Sequence, residues 1–268
     1  MRWSPRVVPG SRPTLGFGCS LCIHWHLAAD ERDVMEMIEG DPPKAVLFDL
    51  DGTLYELEPV RRRMGRALAI NALLSPLKGP RTIKVLKAFR ELREDLRSLG
   101  DGSPCLDDAQ YAEPARKLGI DPDVVRSAVA DWMLERPLPH LFDAGRTALR
   151  PILAALKGWD LPIGVFSDYP VEAKLAALGV DDMVDVTVCA TEADVNAFKP
   201  HPRGFLVAAE RMGVPAEEVV YVGDRVQVDA AGAAAAGMRC LVVGAAASGP
   251  HHVAVETFEE IPNVLGLG

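Results

Sequence analysis

The stretch KAVLFDLDGTLY, residues 44–55, decides the fold class of this chain. Its first part is an unbroken run of apolar strand formers, which is typical of a strand buried on both faces of a parallel sheet. Its second part puts two carboxylates, Asp49 and Asp51, past the end of that strand and continues into an Asp-Gly turn. A buried strand that ends in paired acids predicts a sheet whose carboxyl edge binds a ligand.

Four further runs of the same apolar character follow along the chain. They are LPIGVFS (161–167), VDVTVCA (184–190), EVVYVG (218–223) and MRCLVVG (238–244). Helical patterns lie between them, at 171–178, 202–212 and 228–236, and each is followed by a glycine that is typical of a helix end. Strands that alternate with helices predict right-handed crossovers, and therefore an α/β fold: a Rossmann-like three-layer sandwich with a parallel sheet.

The alternation has one gap, between Leu54 and Leu161, where helical periodicity continues without a good strand. Its clearest segment is 83–99, which has apolar residues at helical spacing and charged residues on the opposite face. Asp121 followed by Pro122 predicts the start of another helix. We therefore predict three units: an N-terminal extension, poorly ordered, at 1–43; a core formed by 44–54 and 141–268; and an inserted α-helical cap at 55–140.

The composition excludes several classes of protein. The chain has 268 residues, of which 49% are apolar and 25% charged, and its formal net charge is −9. Such a composition is typical of a globular protein and argues against intrinsic disorder. An acidic chain without a basic stripe repels phosphodiester backbones, so nucleic acid is not an expected partner. No run of about 18 apolar residues occurs, so a membrane span is not expected either.

Cysteine usage bears on location and on metal binding. Five cysteines at scattered positions suit a reducing compartment, and the predicted location is the cytoplasm. Cys19 and Cys22 with His24 and His26 form a set of potential zinc ligands near the N-terminus. Pairs separated by one residue rarely fit a tetrahedral site without a longer loop, so zinc is not predicted there.

Polar residues follow several of the predicted strands at their carboxyl ends. Asp49 and Asp51 follow the first strand, Ser167 ends the second and Asp224 follows the fourth, while Lys199 lies beyond the third. Carboxylates packed together repel one another and take up protons, so the group makes sense around a divalent ion. Magnesium fits best, because it prefers a few carboxylates and bridges to a substrate phosphate. A lysine at such a site neutralises phosphate oxygens.

Four segments at these strand ends resemble, in order and spacing, the four motifs of the haloacid dehalogenase superfamily. They are FDLDGTLY (48–55), FSD (166–168), Lys199 within FKPHP, and GDRVQVD (223–229). The resemblance extends from Lys44 to about Leu265 and is similar to the phosphoglycolate phosphatase branch. Two positions depart from the common pattern: Asp168 stands where many members have asparagine, and Arg225 where serine is frequent.

The resemblance implies a role for each matched residue. Asp49 is then the nucleophile that forms an aspartyl phosphate, and Asp51 is the acid and base that protonates the leaving oxygen and later activates water. Lys199 takes part in catalysis and, with Ser167 and the turn residues Gly52 and Thr53, binds the substrate phosphate. The resemblance implies Mg²⁺ as cofactor, with these residues at the metal: Asp49, Asp224 and the backbone carbonyl of Asp51 as ligands, and Asp229 in support of them or of Lys199.

The implied activity is magnesium-dependent hydrolysis of a small phosphate monoester. A cap over the site favours a small phosphorylated metabolite as the partner, because closure leaves little room for macromolecules. The chain is expected to act as a monomer or a homodimer. A sugar phosphomutase of the same fold is separable only by its product, a 2-haloacid dehalogenase would not need Asp51, and the complete motif set argues against a non-catalytic phosphate-binding protein.

Three consecutive arginines, Arg61, Arg62 and Arg63, open the predicted cap. Consecutive helical residues fan over about 200°, so they cannot all face one substrate. We expect a solvated face, from which at most one side chain reaches an anion.

Overall fold

The computed structural model describes residues 41–98, 105–249 and 251–267. Its centre is a six-stranded sheet with all neighbours parallel, in the order β3-β2-β1-β4-β5-β6. The strands are β1 (Ala45–Phe48), β2 (Ile163–Ser167), β3 (Val186–Cys189), β4 (Val219–Gly223), β5 (Arg239–Val243) and β6 (Val253–Val255). The order turns back at β1, which lies between β2 and β4, and this opens a crevice at the carboxyl ends of the central strands.

The apolar run in β1 is explained by burial on both faces of the sheet. Ala45 and Leu47 pack into one apolar layer, and Val46 and Phe48 pack into the layer on the other side. All four residues are fully buried. Because side chains alternate along a strand, two covered faces require apolar residues at every position. The predicted three-layer α/β sandwich with a parallel sheet is confirmed.

Helices cover the sheet and form the insertion after β1. They are α1 (Leu57–Leu74), α2 (Gly79–Arg97), α3 (Leu106–Leu118), α4 (Pro122–Val129), α5 (Leu141–Ala144), α6 (Leu149–Gly158), α7 (Glu172–Leu178), α8 (Arg203–Met212), α9 (Ala231–Ala235) and α10 (Ile261–Val264). A π-helical turn, Val226–Ala230, leads directly into α9. The helices α7, α8 and α9 each return the chain from one strand to the next parallel strand.

The inserted helices α1 to α4 enclose an apolar cluster of their own, which includes Phe89, Val125 and Trp132. Asp121 caps α4 as predicted, since its side chain accepts a hydrogen bond of 2.8 Å from the Asp123 amide. The helix α2 begins at Gly79, four residues before the predicted segment, because proline is tolerated in a first helical turn and Pro80 lies there. The limits of the three units stay a prediction.

The predictions for the N-terminal extension and for its cysteine and histidine cluster fall mainly outside the part of the chain that the structure describes. The N-terminal extension lies outside the described residues up to position 40, and so does the whole cluster from Cys19 to His26. Within the described ranges, no helix combines the length and the apolar character that crossing a bilayer requires.

Candidate active site

The carboxyl ends of three adjacent strands bring the predicted site residues together. Phe48 of β1 pairs with Val165 of β2 and with Val222 of β4, so the residues that follow these strands meet at one edge. A cavity of about 710 Å³ lies between this edge and the cap helices. Its lining includes four of the predicted residues: Asp49, Asp51, Ser167 and Asp224.

Asp49 lies at the floor of the cavity and is held by two donors. The Nζ of Lys199 is 2.5 Å from its Oδ1, and the hydroxyl of Thr53 donates to its Oδ2 at 3.1 Å. Burial raises the pKa of Asp49 to about 7, because it outweighs the attraction of Lys199 and because Asp229 and Asp224 add to the rise. A second positive charge beside Asp49 would favour the ionised carboxylate.

Lys199 is fully buried behind Asp49 and does not line the cavity. Its Nζ also lies 2.6 Å from the Tyr221 hydroxyl and 3.1 Å from Oδ1 of Asp229. Although burial lowers the pKa of Lys199, the charges of Asp229 and Asp49 raise it further, so the ammonium form is held. Both oxygens of Asp229 accept hydrogen bonds: Oδ1 accepts from Lys199, and Oδ2 accepts from the amides of Asp224 and Arg225. It therefore orients Lys199 from behind.

The carboxylate cluster has the chemistry of a cation site. One oxygen from each of Asp49, Asp224 and Asp229 lies within 4.8 Å of the other two. Oδ1 of Asp224 is buried and has no hydrogen-bond partner among the described residues. Burial, with the charge of Asp229 adding to it, raises the pKa of Asp224 to about 6. The Nε of Arg225 lies 3.8 Å from this oxygen, too far for a hydrogen bond. A buried carboxylate oxygen without a hydrogen bond is costly, so the site fits a divalent ion.

The turn after β1 is shaped around the same cluster. Gly52 has a φ of +109°, and a Cβ built there would lie 2.1 Å from Oδ2 of Asp224. Only glycine allows this approach without displacing the carboxylate. The guanidinium of Arg146 donates to the Gly52 carbonyl at 2.8 Å and fixes the turn from outside. Gly52 and Thr53 do not line the cavity.

Asp51 also lines the cavity and has partners of its own. The Nζ of Lys174 is 2.5 Å from its Oδ1 and 2.7 Å from its Oδ2. The hydroxyl of Tyr55 also donates to Oδ1, at 2.5 Å. Although burial raises the pKa of Asp51, Lys174 and Tyr55 lower it more, and the result is a pKa below the ordinary aspartate value. Asp49 and Asp51, two residues apart, therefore occupy opposite electrostatic environments.

The FSD segment joins the site to the cap. Ser167 lines the cavity, and its Oγ accepts a hydrogen bond from the Tyr169 amide at 3.2 Å. The carboxylate of Asp168 forms an ion pair of 2.9 Å with Arg97 of α2, and its carbonyl accepts a hydrogen bond of 2.8 Å from Arg93. Arg97 also donates to the backbone carbonyl of Lys199. Cap helix α2 is thereby tied to two of the predicted motifs.

These contacts correct one expectation. The charged residues of α2 do not all lie on the face opposite the apolar residues, because Arg93 is on the buried side of the helix and is only 4% exposed. Its guanidinium lies 4.1 Å from the ring centroids of both Tyr169 and Phe198, and its other hydrogen bond goes to Gln110. Stacking between aromatic rings makes burial of this cation favourable.

The three consecutive arginines point in different directions, as helical geometry predicts. Arg61 lines the cavity, whereas Arg62 pairs with Glu58 and Arg63 pairs with Asp143.

Sequence reasoning missed two partners of Asp51, Lys174 and Tyr55. Lys174 lies in the first turn of α7, and a helix that follows a strand begins at the carboxyl edge of the sheet. Tyr55 lies four residues after Asp51, where a tight turn returns the chain. Position in the first turn after a strand is thus the signal that would have identified Lys174.

Fold and site together define a capped α/β enzyme with a carboxylate centre after its first strand. The chain belongs to the haloacid dehalogenase-like hydrolase family, which matches residues 43–237.

Curated relatives and a solved structure agree with this membership. A glyceraldehyde 3-phosphate phosphatase of Methanopyrus kandleri is 34% identical over 209 residues, which are 73% of this chain and 81% of the relative. A phosphoglycolate phosphatase of Shigella boydii is 31% identical over 212 residues, 71% of this chain and 78% of the relative. The structure of a 2-haloacid dehalogenase from Pseudomonas syringae has a TM-score of 0.59 and 26% identity, and covers 84% of this chain and 98% of its own.

Proposed function

We propose that the protein hydrolyses a small phosphate monoester through an aspartyl phosphate on Asp49, with Mg²⁺ as cofactor. The observation that carries this proposal is the pairing of two differently held aspartates on one cavity floor. Asp49 belongs to a metal-type carboxylate cluster, whereas the side chain of Asp51 is outside that cluster and is held by its own lysine and tyrosine. Covalent phosphoryl transfer needs such a division between a nucleophile and a proton-transfer group.

Asp49 and Asp51 divide the chemistry between two half-reactions. In the first, an oxygen of Asp49 forms a bond to phosphorus and the ester P–O bond breaks. Asp51, which carries the proton that it took from water in the preceding cycle, gives that proton to the departing oxygen. In the second, Asp51 takes a proton from water, which attacks the aspartyl phosphate and releases inorganic phosphate. Asp49 is then regenerated, so each cycle consumes one ester and one water.

The carboxylates of Asp49 and Asp224 and the backbone carbonyl of Asp51 are assigned to Mg²⁺. Support comes from the buried Oδ1 of Asp224, which has no hydrogen-bond partner among the described residues, and from the raised pKa values of Asp49 and Asp224. A bound divalent ion supplies positive charge that draws phosphate to the anionic floor and stabilises the transition state. Asp229 is assigned a supporting role, because both of its oxygens already accept hydrogen bonds.

The substrate phosphate is assigned to Ser167, Lys199, Gly52 and Thr53. Ser167 presents its hydroxyl at the cavity wall, and Lys199 supplies the nearest positive charge to Asp49. Lys199 and Thr53 together fix the orientation of the Asp49 carboxylate, since the Lys199 Nζ and the Thr53 hydroxyl engage different carboxylate oxygens.

A small phosphorylated metabolite is the proposed substrate class. The cavity lies under the cap helices, and the two relatives named above act on short phosphate esters. Cys105, Cys189 and Cys240 are free thiols, which supports a cytoplasmic location.

The test is a screen of short phosphate esters for phosphate release with and without Mg²⁺. We expect release that requires Mg²⁺ and equals the loss of ester, which separates a phosphatase from a mutase. Asp49→Asn should abolish release and should also lose the Mg²⁺-dependent thermal stabilisation by beryllofluoride, which mimics the aspartyl phosphate. Normal turnover by Asp49→Asn, or isomerisation of a sugar phosphate faster than phosphate release, would overturn the proposal.

A further inference from the structure

Lys174 is a buried cation whose charge is directed at one carboxylate. Its side chain is only 7% exposed, and its Nζ contacts both oxygens of Asp51, at 2.5 and 2.7 Å. The ammonium also lies 5.2 Å from the centroid of the Tyr169 ring. A lysine is rarely buried unless it is paired, so its position at the cavity wall depends on Asp51.

The contacts hold the Asp51 carboxylate asymmetrically. Oδ1 accepts from both Lys174 and the Tyr55 hydroxyl, whereas Oδ2 accepts from Lys174 alone among the described residues. Oδ2 therefore keeps a lone pair for a further hydrogen bond. Two donors from different elements also prevent rotation of a side chain that would otherwise turn freely at a strand end.

We infer that Lys174 is a positioning residue of the reaction, which holds Asp51 so that Oδ2 reaches the leaving-group oxygen. The inference rests on the proposed function, because it takes Asp51 as the group that transfers the proton. Proton transfer requires heavy atoms within about 3 Å of each other, and a small misplacement costs a large factor in rate.

A purely structural role explains the pair less well. Desolvation offsets most of the attraction in a buried ion pair, so such a pair adds little net stability. The packing of α7 is provided by Leu175 and Leu178, which belong to the main apolar cluster. Lys174 therefore acts chiefly on the geometry of Asp51.

The experiment compares two leaving groups. p-Nitrophenolate departs without a proton, whereas the alkoxide of an alkyl phosphate needs one. We expect Lys174→Met to lower kcat/KM for an alkyl ester by about tenfold or more beyond its effect on p-nitrophenyl phosphate. The alkyl ester is phosphoglycolate or glyceraldehyde 3-phosphate, whichever the wild-type protein hydrolyses faster. The ratio kcat/KM reports the steps through cleavage of the ester bond, where the acid acts.

Two further variants complete the test. Lys174→Ala should regain part of its alkyl-ester activity in n-propylammonium, which replaces the missing atoms, and Lys157→Met, which removes a lysine paired with Asp185, should leave both activities unchanged. If Lys174→Met does not fold, as judged by its melting curve, Lys174→Gln provides the same comparison with a donor retained.

An equal loss on both esters, or no loss, would overturn the assignment of Lys174 while the proposed function stands. A wild-type protein that releases phosphate from neither ester would overturn both.

Discussion

Asp168 shows how a departure from the family pattern is matched elsewhere in the chain. Its carboxylate lies 2.9 Å from Arg97 of the cap and accepts a hydrogen bond from the Lys199 amide at 3.2 Å. A charged side chain only 7% exposed requires a partner of opposite charge. An asparagine at this position would leave Arg97 without its charge partner in the core. Asp168 and Arg97 therefore form one unit across the cap and the core.

Two arginines that line the cavity have no negatively charged partner among the described residues. Arg61 of α1 and Arg90 of α2 both line it, and neither forms an ion pair or a hydrogen bond with any described residue. Cations without a protein partner attract anionic groups, so they favour a substrate with a second negative charge besides the phosphate. Arg61 is thus the member of the three consecutive arginines that is placed to reach an anion.

We expect Arg61→Ala and Arg90→Ala each to raise KM about five-fold for a carboxylate-bearing ester such as phosphoglycolate. For p-nitrophenyl phosphate, which lacks a second anion, KM should stay nearly constant. Steady-state kinetics on both esters measures this difference. Arg62→Ala is the matched control, because Arg62 pairs with Glu58 on the exposed side of the same helix. Equal effects on the two esters would show that these arginines only form a solvated face.

At the scale of residues, strand ends are predictable and side-chain partners are not. Asp49, Ser167 and Asp224 were predicted to meet because the carboxyl ends of parallel strands share an edge. Lys174 lies in an amphipathic helix, where a lysine usually predicts a surface position. Its burial depends on the distance between α7 and the turn after β1, which the local sequence does not encode.

At the scale of elements, a long apolar run in the sequence predicts a strand, whereas a strand of only a few residues leaves no such run. The five predicted strands are found, each shorter than its apolar run, because fraying and turns take the end residues. The added edge strand β6 has only three residues and pairs with β5 on one side. So short a segment shows no periodicity, and its pairing is decided by the neighbouring strand.

Asp185, just before the edge strand β3, connects the neighbouring strand β2 to the helix α6. Its Oδ2 accepts a hydrogen bond from the Ile163 amide of β2 at 2.7 Å, and its Oδ1 pairs with Lys157. Partial burial raises the pKa of Asp185, but the Ile163 amide and Lys157 lower it more, so the net pKa is below the ordinary value. A lowered folded-state pKa stabilises the protein above the unfolded pKa of about 3.9, and this contribution is lost as the pH falls through the folded pKa.

We expect Asp185→Asn to reduce the free energy of unfolding by about 1 kcal/mol at pH 7, a modest value because the carboxylate is 41% exposed. The difference from the wild type should shrink as the pH falls below about 4. Urea denaturation at pH 7 and pH 3.5 tests this, with Asp182→Asn, at an exposed ion pair with Arg150, as the comparison. A difference that does not change with pH would exclude the ionised carboxylate as its source.

At the scale of the whole molecule, the site is assembled from parts far apart in the sequence. The residues around Asp49 come from β1, from the segment after β3 and from β4, while Arg93 and Arg97 reach them from the cap. The succession of strands and helices along the chain, with a helical stretch after the first strand, was predicted, because it follows from the sequence of apolar runs. The way α2 lies against Asp168 and Lys199 was not, since it depends on individual side-chain contacts.

Because β1 lies at the centre of the sheet, the fold and the site require the chain from β1 onward. Site residues begin at Asp49, and the first contacts of the described chain with the sheet are made by Asp41, whose carbonyl accepts from Arg239 at 2.9 Å, and by Lys44, which pairs with Glu218. A chain that begins at Met37 keeps all of these contacts. Removing β1 as well would take away the strand that lies between β2 and β4.

We therefore expect a chain that begins at Met37 to melt within about 2 °C of the full-length protein and to keep its kcat/KM within about twofold. Thermal melting and phosphate-release kinetics measure the two quantities. A chain that begins at Asp49 is the control and should not fold, because it lacks the central strand. A large loss of stability or activity on starting at Met37, or stoichiometric zinc bound only by the full-length chain, would assign a working role to the segment that contains Cys19, Cys22, His24 and His26.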